Sequence, residues 1–138
     1  MTYGAPACRT FRGMSAARRA LGELGERVAA RWLASQGWWI RARRYRNGHR
    51  DIDIVAQQRQ TVVFVEVKAR AGLQFGDPVE AVDWRKQREL RRSAQVWISR
   101  HGLPGEAYRF DVIGVVRTPT GVKVKHVPNA FDAGDSIC

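Results

Sequence analysis

The stretch VFVEVKAR, residues 63–70, reads as a β-strand with two apolar faces: Val63, Val65 and Val67 on one side, Phe64 and the preceding Val62 on the other. Strands of that kind are covered on both sides, as in layered α/β folds. Glu66 and Lys68 break the pattern. Charges in such a strand need compensating partners, and the flanking sequence supplies candidates.

DIDIVA (51–56) alternates as a second strand, WWIRARRY (38–45) as a first, and Asn47-Gly48 between them is the dipeptide that best tolerates a tight hairpin turn. The three form an antiparallel meander. With Arg59 and Gln60 as a two-residue loop, Gln58 faces Thr61, Asp53 lies opposite Glu66 and Asp51 opposite Lys68. Asp51, Asp53, Glu66 and Lys68 then project from one side of the sheet, because alternate residues share a face. An ion pair between Asp51 and Lys68 accounts for two of these charges. Asp53 and Glu66 repel one another and resist burial unless a proton or cation intervenes. A hard divalent ion such as Mg²⁺, commonly held by one or two carboxylates and a substrate phosphate, meets that need. On these residues alone a structural ion-pair network is the alternative.

Residues 15–36 carry Leu21, Leu24, Val28 and Trp32 at helical spacing, closed by Gly37. Beside that face runs a stripe of mostly small residues, Gly22, Glu26, Ala29 and Leu33, which permits close approach to the sheet. Glu26 can thereby reach the carboxylates, whereas Glu23 points to solvent; the alternative is an exposed Glu26 near Arg27 and Arg31. After Gly72, Gly76 and Pro78, Asp83 opens a second helix, with Leu90, Ala94, Trp97 and Ile98 inward and Gly102 at its end. YRFDVIGVV (108–116) and VKVKHV (122–127) are closing strands. The expected organisation is a flexible segment over 1–15, one domain over 16–131 and a flexible tail over 132–138.

The chain holds 24 Lys and Arg against 13 Asp and Glu, a net charge of +11. All but Lys68, Lys86, Lys123 and Lys125 are arginines, whose planar fork matches phosphate oxygens in pairs. Nucleic acid is the expected partner, against the alternative of a basic protein kept soluble by its charge. Arg85, Arg88 and Arg92 share the outer face of the second helix with Lys86 and Arg91 on its flanks, a surface suited to phosphates. Trp38, Trp39, Trp84 and Trp97 offer stacking surfaces, although Trp97 lies on the apolar face. Cys8 and Cys138 form neither a disulfide framework nor a zinc site, and no apolar run reaches membrane-spanning length. A reducing cytoplasm and no membrane partner are expected.

Asp53 followed by Glu66-Val67-Lys68 resembles the PD-(D/E)XK nuclease signature. GELGERVAARWLASQGW (22–38), DIDIVA, VFVEVKAR, GDPVEAVDWRKQREL (76–90), YRFDVIGV and HVPNAF (126–131) are together similar to the bacterial YraN family, uncharacterised proteins related to archaeal Holliday junction resolvases. The resemblance covers roughly residues 21–131. It implies a restriction-endonuclease-like α/β fold with an αβββαβ core, and cleavage of DNA, branched DNA included. It implies Mg²⁺ or Mn²⁺ held by Asp53, Glu66 and the Val67 carbonyl. Lys68 would orient or help deprotonate the attacking water, and Glu26 matches a helix-one glutamate of resolvase-type members. The chain departs from the family pattern at Arg50-Asp51, where glycine and glutamate are usual, so Asp51 receives no ligand role. Members of this fold class also serve as binding modules that do not cut, and a DNA- or RNA-binding module is the alternative function. A homodimer that cuts both strands symmetrically is compatible with the sequence.

Overall fold

Every strand expected from alternation forms, and the central one is buried as its two apolar faces require. A computed structural model of the chain describes residues 4–48, 50–72 and 77–132. The ends of the two segments expected to be flexible, 1–3 and 133–138, lie outside the described residues. The elements are α1 (Gly4–Ser35), β1 (Trp39–Asn47), β2 (Arg50–Gln58), β3 (Thr61–Ala71), a 3₁₀ turn (Pro78–Ala81), α2 (Trp84–His101), β4 (Ala107–Thr118) and β5 (Gly121–Phe131). They build one five-stranded sheet in the order β1-β2-β3-β4-β5. Only β3 and β4 run parallel, joined by α2 as the crossover. The fold is thus α/β, a mixed sheet with one helix packed on each face, compatible with a restriction-endonuclease-like core.

The alternation in β3 separates two cores. Val62 and Phe64 pack with Leu90, Ala94 and Trp97 of α2; Val63 and Val65 pack with Ala29 and Leu33 of α1. Phe64 lies 5.6 Å from the Trp97 ring in an edge-on contact and 5.5 Å from Phe110. Burying one such aromatic contributes about 1.5–3 kcal/mol.

The first helix packs one step round from the expected face. Ala29 and Leu33 are its fully buried residues, while Val28 and Trp32 only flank the core. Close approach falls at Gly25: a Cβ there would stand 2.7 Å from the Ala69 Cβ. Gly22 has nothing within 4 Å of that position. In α2 the Asp83 carboxylate accepts the Lys86 N–H at 2.9 Å as the N-cap, and Gly102 caps the C-terminus.

Both hairpins of the meander turn near the expected places. Gln58 pairs with Thr61, so Arg59 and Gln60 are the loop, and Arg59 takes a left-handed φ of 55°. The Gln57 side-chain amide donates to the Arg59 carbonyl at 2.8 Å and steadies that conformation. In the first hairpin Asn47 pairs with Arg50, so Asn47 closes the ladder instead of occupying the turn. Gly48 supplies the positive φ, 67°.

Candidate functional site

The site forms where the regular sheet fails. In β1 and β2 the paired residues run Arg43↔Ile54 and then Tyr45↔Ile52, skipping Arg44 and Asp53. Arg44 has φ 51°, a conformation that non-glycine side chains seldom adopt. As a result Ile52 joins Val55 in the core under α2, whereas Ile54 and Ala56 face α1. Strict alternation would have put Ile52 with Ile54.

That fault frees the Asp53 side chain from both cores. The β2–β3 ladder ends at Ile54↔Val65, and beyond it the Asp53 Oδ2 accepts the Val67 N–H at 2.7 Å. The carboxylate thus takes the place of a backbone acceptor. A strand residue directs its N–H and C=O toward the same neighbour, so the Val67 carbonyl also faces the gap beside Asp53. Burial, then the charge of Glu66, pushes the Asp53 carboxyl up to about 8; the Val67 N–H opposes the shift and Glu26 adds to it. Asp53 thus feels the charges of Glu66 and Glu26, although it leaves the ladder before the expected pairing with Glu66.

Each of the two glutamates has its own cations. Lys68 Nζ stands 3.2 Å from Glu66 Oε2, and Lys86 Nζ reaches the same oxygen from α2 at 3.7 Å. Glu26, buried on α1, is gripped by the Arg44 guanidinium: Nη2 lies 2.8 Å from Oε2 and Nε lies 3.1 and 2.9 Å from the two oxygens. Glu23 is exposed.

Two expectations change. Asp51, expected with the other acids and opposite Lys68, is turned to the other face by the fault at Asp53. There its charge acts on Arg44, while Lys68 pairs with Glu66 on its own strand. Lys86, expected on the phosphate-facing side of α2, instead leans into the carboxylate cluster. Arg85, Arg88 and Arg92 do remain exposed, and with Trp84 and Glu89 they line a shallow recess of about 300 Å³. Arg85 lies over the Trp84 ring at 5.4 Å. Trp39 and Trp84 are exposed, whereas Trp97 is core.

Among the described residues no group of three or more His, Cys, Asp and Glu is arranged to hold a metal. The oxygen donors at the gap are two carboxylates and a carbonyl. Hard oxygen donors in that number suit Mg²⁺ or Mn²⁺, which retain waters and share a phosphate, and do not suit zinc.

Sequence reading missed two features. Arg44 gave no signal, because its role depends on a positive φ. The second is a buried network remote from the gap in sequence. Asp111 is fully buried, accepts from Arg109 at 2.9 and 3.0 Å, from His126 Nε2 at 2.7 Å and from the Asn129 N–H at 3.0 Å. Trp32 Nε1–H donates to His126 Nδ1 at 3.2 Å; an indole only donates, so the His126 hydrogen sits on Nε2 and points at Asp111. Burial alone would raise Asp111, but the bonds from His126, Arg109 and Asn129 outweigh it and hold the carboxyl below its ordinary value. This network ties α1 to β4 and β5. An acid inside an apolar strand, the anomaly that exposed Glu66, also marks Asp111.

No described helix is long and apolar enough to cross a membrane. The model of the Uncharacterised protein family UPF0102 matches residues 25–115, a span that includes Glu26, Asp53, Glu66, Lys68 and the whole of α2. Similar proteins include a UPF0102 protein of Myxococcus xanthus (strain DK1622), 41% identical over 123 residues, covering 89% of this chain and 98% of the relative. One from Nocardia farcinica (strain IFM 10152) is 44% identical over 102 residues, 74% of this chain and 80% of the relative. One from Moorella thermoacetica (strain ATCC 39073 / JCM 9320) is 45% identical over 102 residues, 74% and 85% respectively. With a family match over residues 25–115 and a relative aligned over 98% of its own length, the chain belongs to the uncharacterised family UPF0102, the YraN family that its motifs resemble.

Proposed function

We propose that this protein is a cytoplasmic, metal-dependent endonuclease that binds DNA and hydrolyses its phosphodiester bonds, with branched DNA among its substrates. The observation that carries the reading is the approach of Asp53 to Glu66 where the β2–β3 ladder ends, with the Val67 N–H bonded to the Asp53 carboxylate in place of a backbone partner on β2. Burial and the neighbouring Glu66 push the Asp53 carboxyl up to about 8, while Lys68 and Lys86 pair with Glu66, so Asp53 is the carboxylate short of positive charge. Asp53, Glu66 and the Val67 carbonyl would hold Mg²⁺ or Mn²⁺. When bound, the ion supplies Lewis-acid polarisation of a phosphate oxygen.

The remaining roles belong to the chain. Lys68, an ammonium beside Glu66, orients the attacking water and steadies the negative charge on its oxygen as that oxygen bonds to phosphorus, its proton passes to solvent and the bond to the leaving oxygen breaks. Lys86, brought in by α2, faces the charge that builds on the phosphate. Glu26, held by Arg44, completes the acidic wall. Arg85, Arg88 and Arg92 give the backbone contacts that anchor the duplex without reading its sequence.

A second reading has its own observation. Lys68 and Lys86 already compensate Glu66, and Arg44 compensates Glu26, which suits a non-catalytic DNA- or RNA-binding module with a structural carboxylate cluster. One assay separates the two. Purified protein is incubated with duplex, single-stranded, flapped and four-way-junction DNA in Mg²⁺, Mn²⁺ or EDTA. We expect metal-dependent cutting that Glu66→Gln abolishes and Lys68→Ala lowers about a hundredfold, with DNA binding retained in both. If wild type cuts none of these, or cuts equally in EDTA, the nuclease reading fails and the binding module stands.

A further inference from the structure

A groove of about 480 Å³ runs between α1 and the end of β3, lined by Arg18, Leu21 and Gly22 on the helix and by residues 67–71 on the strand. It opens beside Lys68, the residue assigned to the attacking water. Its volume is that of a small-ligand cleft, which typically spans roughly 300–1,000 Å³. The wall is apolar at Leu21, Val67 and Ala69, and two exposed arginines, Arg18 and Arg70, mark its rim. Neither arginine forms a salt bridge among the described residues. The Arg70 guanidinium folds back onto the Ala69 carbonyl at 2.9 Å and so stays close to the strand.

Gly22 lies inside α1, on the wall of this groove. Glycine inside a helix is disfavoured relative to alanine, so its presence there usually has a packing reason. Three residues on, Gly25 has such a reason, since a Cβ would collide with Ala69 at 2.7 Å. Gly22 has none: among the described residues, nothing outside its own helical turn lies within 4 Å of where its Cβ would be. The space it leaves is the groove itself.

We propose that this groove seats a single-stranded segment of DNA next to the scissile phosphate. Phosphates lie against Arg18 and Arg70, and an unstacked nucleotide packs over Leu21, Val67 and Ala69. A cationic rim with an apolar wall is how flexible single strands are held, because their bases are free to leave the stack. A base-paired nucleotide keeps its face in the stack and cannot occupy such a wall. The preferred substrate is then DNA in which a duplex meets an unpaired strand, the α2 arginines holding the duplex and the groove the strand. The proposal rests on the nuclease reading for the identity of its neighbour, Lys68, but its binding test does not.

Fluorescence anisotropy in EDTA measures binding without cleavage, with a labelled oligothymidine strand and a blunt duplex as probes. Gly22→Leu fills the groove with a helix-favouring residue, so its melting temperature should equal or exceed that of wild type. We expect it to weaken binding of the single strand about tenfold or more, the scale of losing contact with one base, and to leave duplex binding unchanged. Arg18→Glu, a solvent-exposed change that spares the fold, should weaken the single strand selectively in the same way. Unchanged single-strand affinity in both variants, or equal loss for strand and duplex, overturns the groove while leaving the nuclease reading in place. Wild type that binds neither probe overturns both. Metal-dependent cutting that fails in a protein with the expected binding pattern overturns only the nuclease reading.

Discussion

Replacing Asp53 by asparagine removes a charge that its surroundings disfavour, yet keeps an oxygen to accept the Val67 N–H and adds a donor for Glu66. Burial and the Glu66 charge push the Asp53 carboxyl up to about 8 from an ordinary 3.8. The folded protein therefore holds a proton that the unfolded chain releases. The stability this proton confers is complete below about pH 4 and is lost as pH rises through about 8. Some 4 decades at about 1.36 kcal/mol each set a ceiling of roughly 6 kcal/mol. Water at the carboxyl and the ammonium groups of Lys68 and Lys86 on Glu66 reduce the penalty to about 2 kcal/mol. In a domain of this size that is ~8 °C in melting temperature. Circular-dichroism melts in EDTA, from about pH 4 to about pH 9, should show Asp53→Asn melting above wild type at the alkaline end and converging with it at the acid end. All other titrating groups are common to both proteins, so the difference reports Asp53 together with the carboxylate it is coupled to. Adding Mg²⁺ at about pH 8 should stabilise wild type and not the variant, since only wild type offers the full donor set. Parallel pH curves, or a variant less stable than wild type at about pH 9, would refute the argument.

On the face proposed to bind DNA, Arg85→Ala combined with Arg88→Ala should flatten the slope of log affinity against log salt for duplex by about 2, one counterion for each lost phosphate contact; an unchanged slope would remove α2 from the interface. The two glycines of α1 should respond in opposite directions. Gly25→Leu drives a side chain into Ala69 and should cost about 1–3 kcal/mol in denaturant unfolding, whereas Gly22→Ala should gain up to ~1 kcal/mol, and matching responses would contradict the packing described. Asp111→Ala leaves Arg109 and His126 without their buried acceptor and should destabilise by about 3–5 kcal/mol, while a loss under about 1 kcal/mol would show that the network carries little of the α1 to β4–β5 contact.

The sequence by itself determined the sheet-and-helix plan and which charged residues stand out from it. Two-residue alternation marked β3 as doubly buried, and the loop at Arg59-Gln60 fixed the β2–β3 register, because a one-residue slip would have turned every valine to the wrong face. Asp83 and Gly102 bounded α2 through capping that is local to the chain. Glu66 and Lys68 were legible as charges in a strand with no room for them. Tertiary structure alone decided the rest. The paired skip at Arg44 and Asp53 cannot be read from residue types, since arginine does not advertise a positive φ. That skip sends Asp53 to the Val67 N–H, turns Asp51 away and brings Arg44 onto Glu26. Lys86 and Glu66 are likewise distant in sequence and meet only because α2 crosses the sheet. Periodicity reports which face a side chain takes in a regular element, so it fails where the backbone leaves regularity, and here that is where the carboxylates gather.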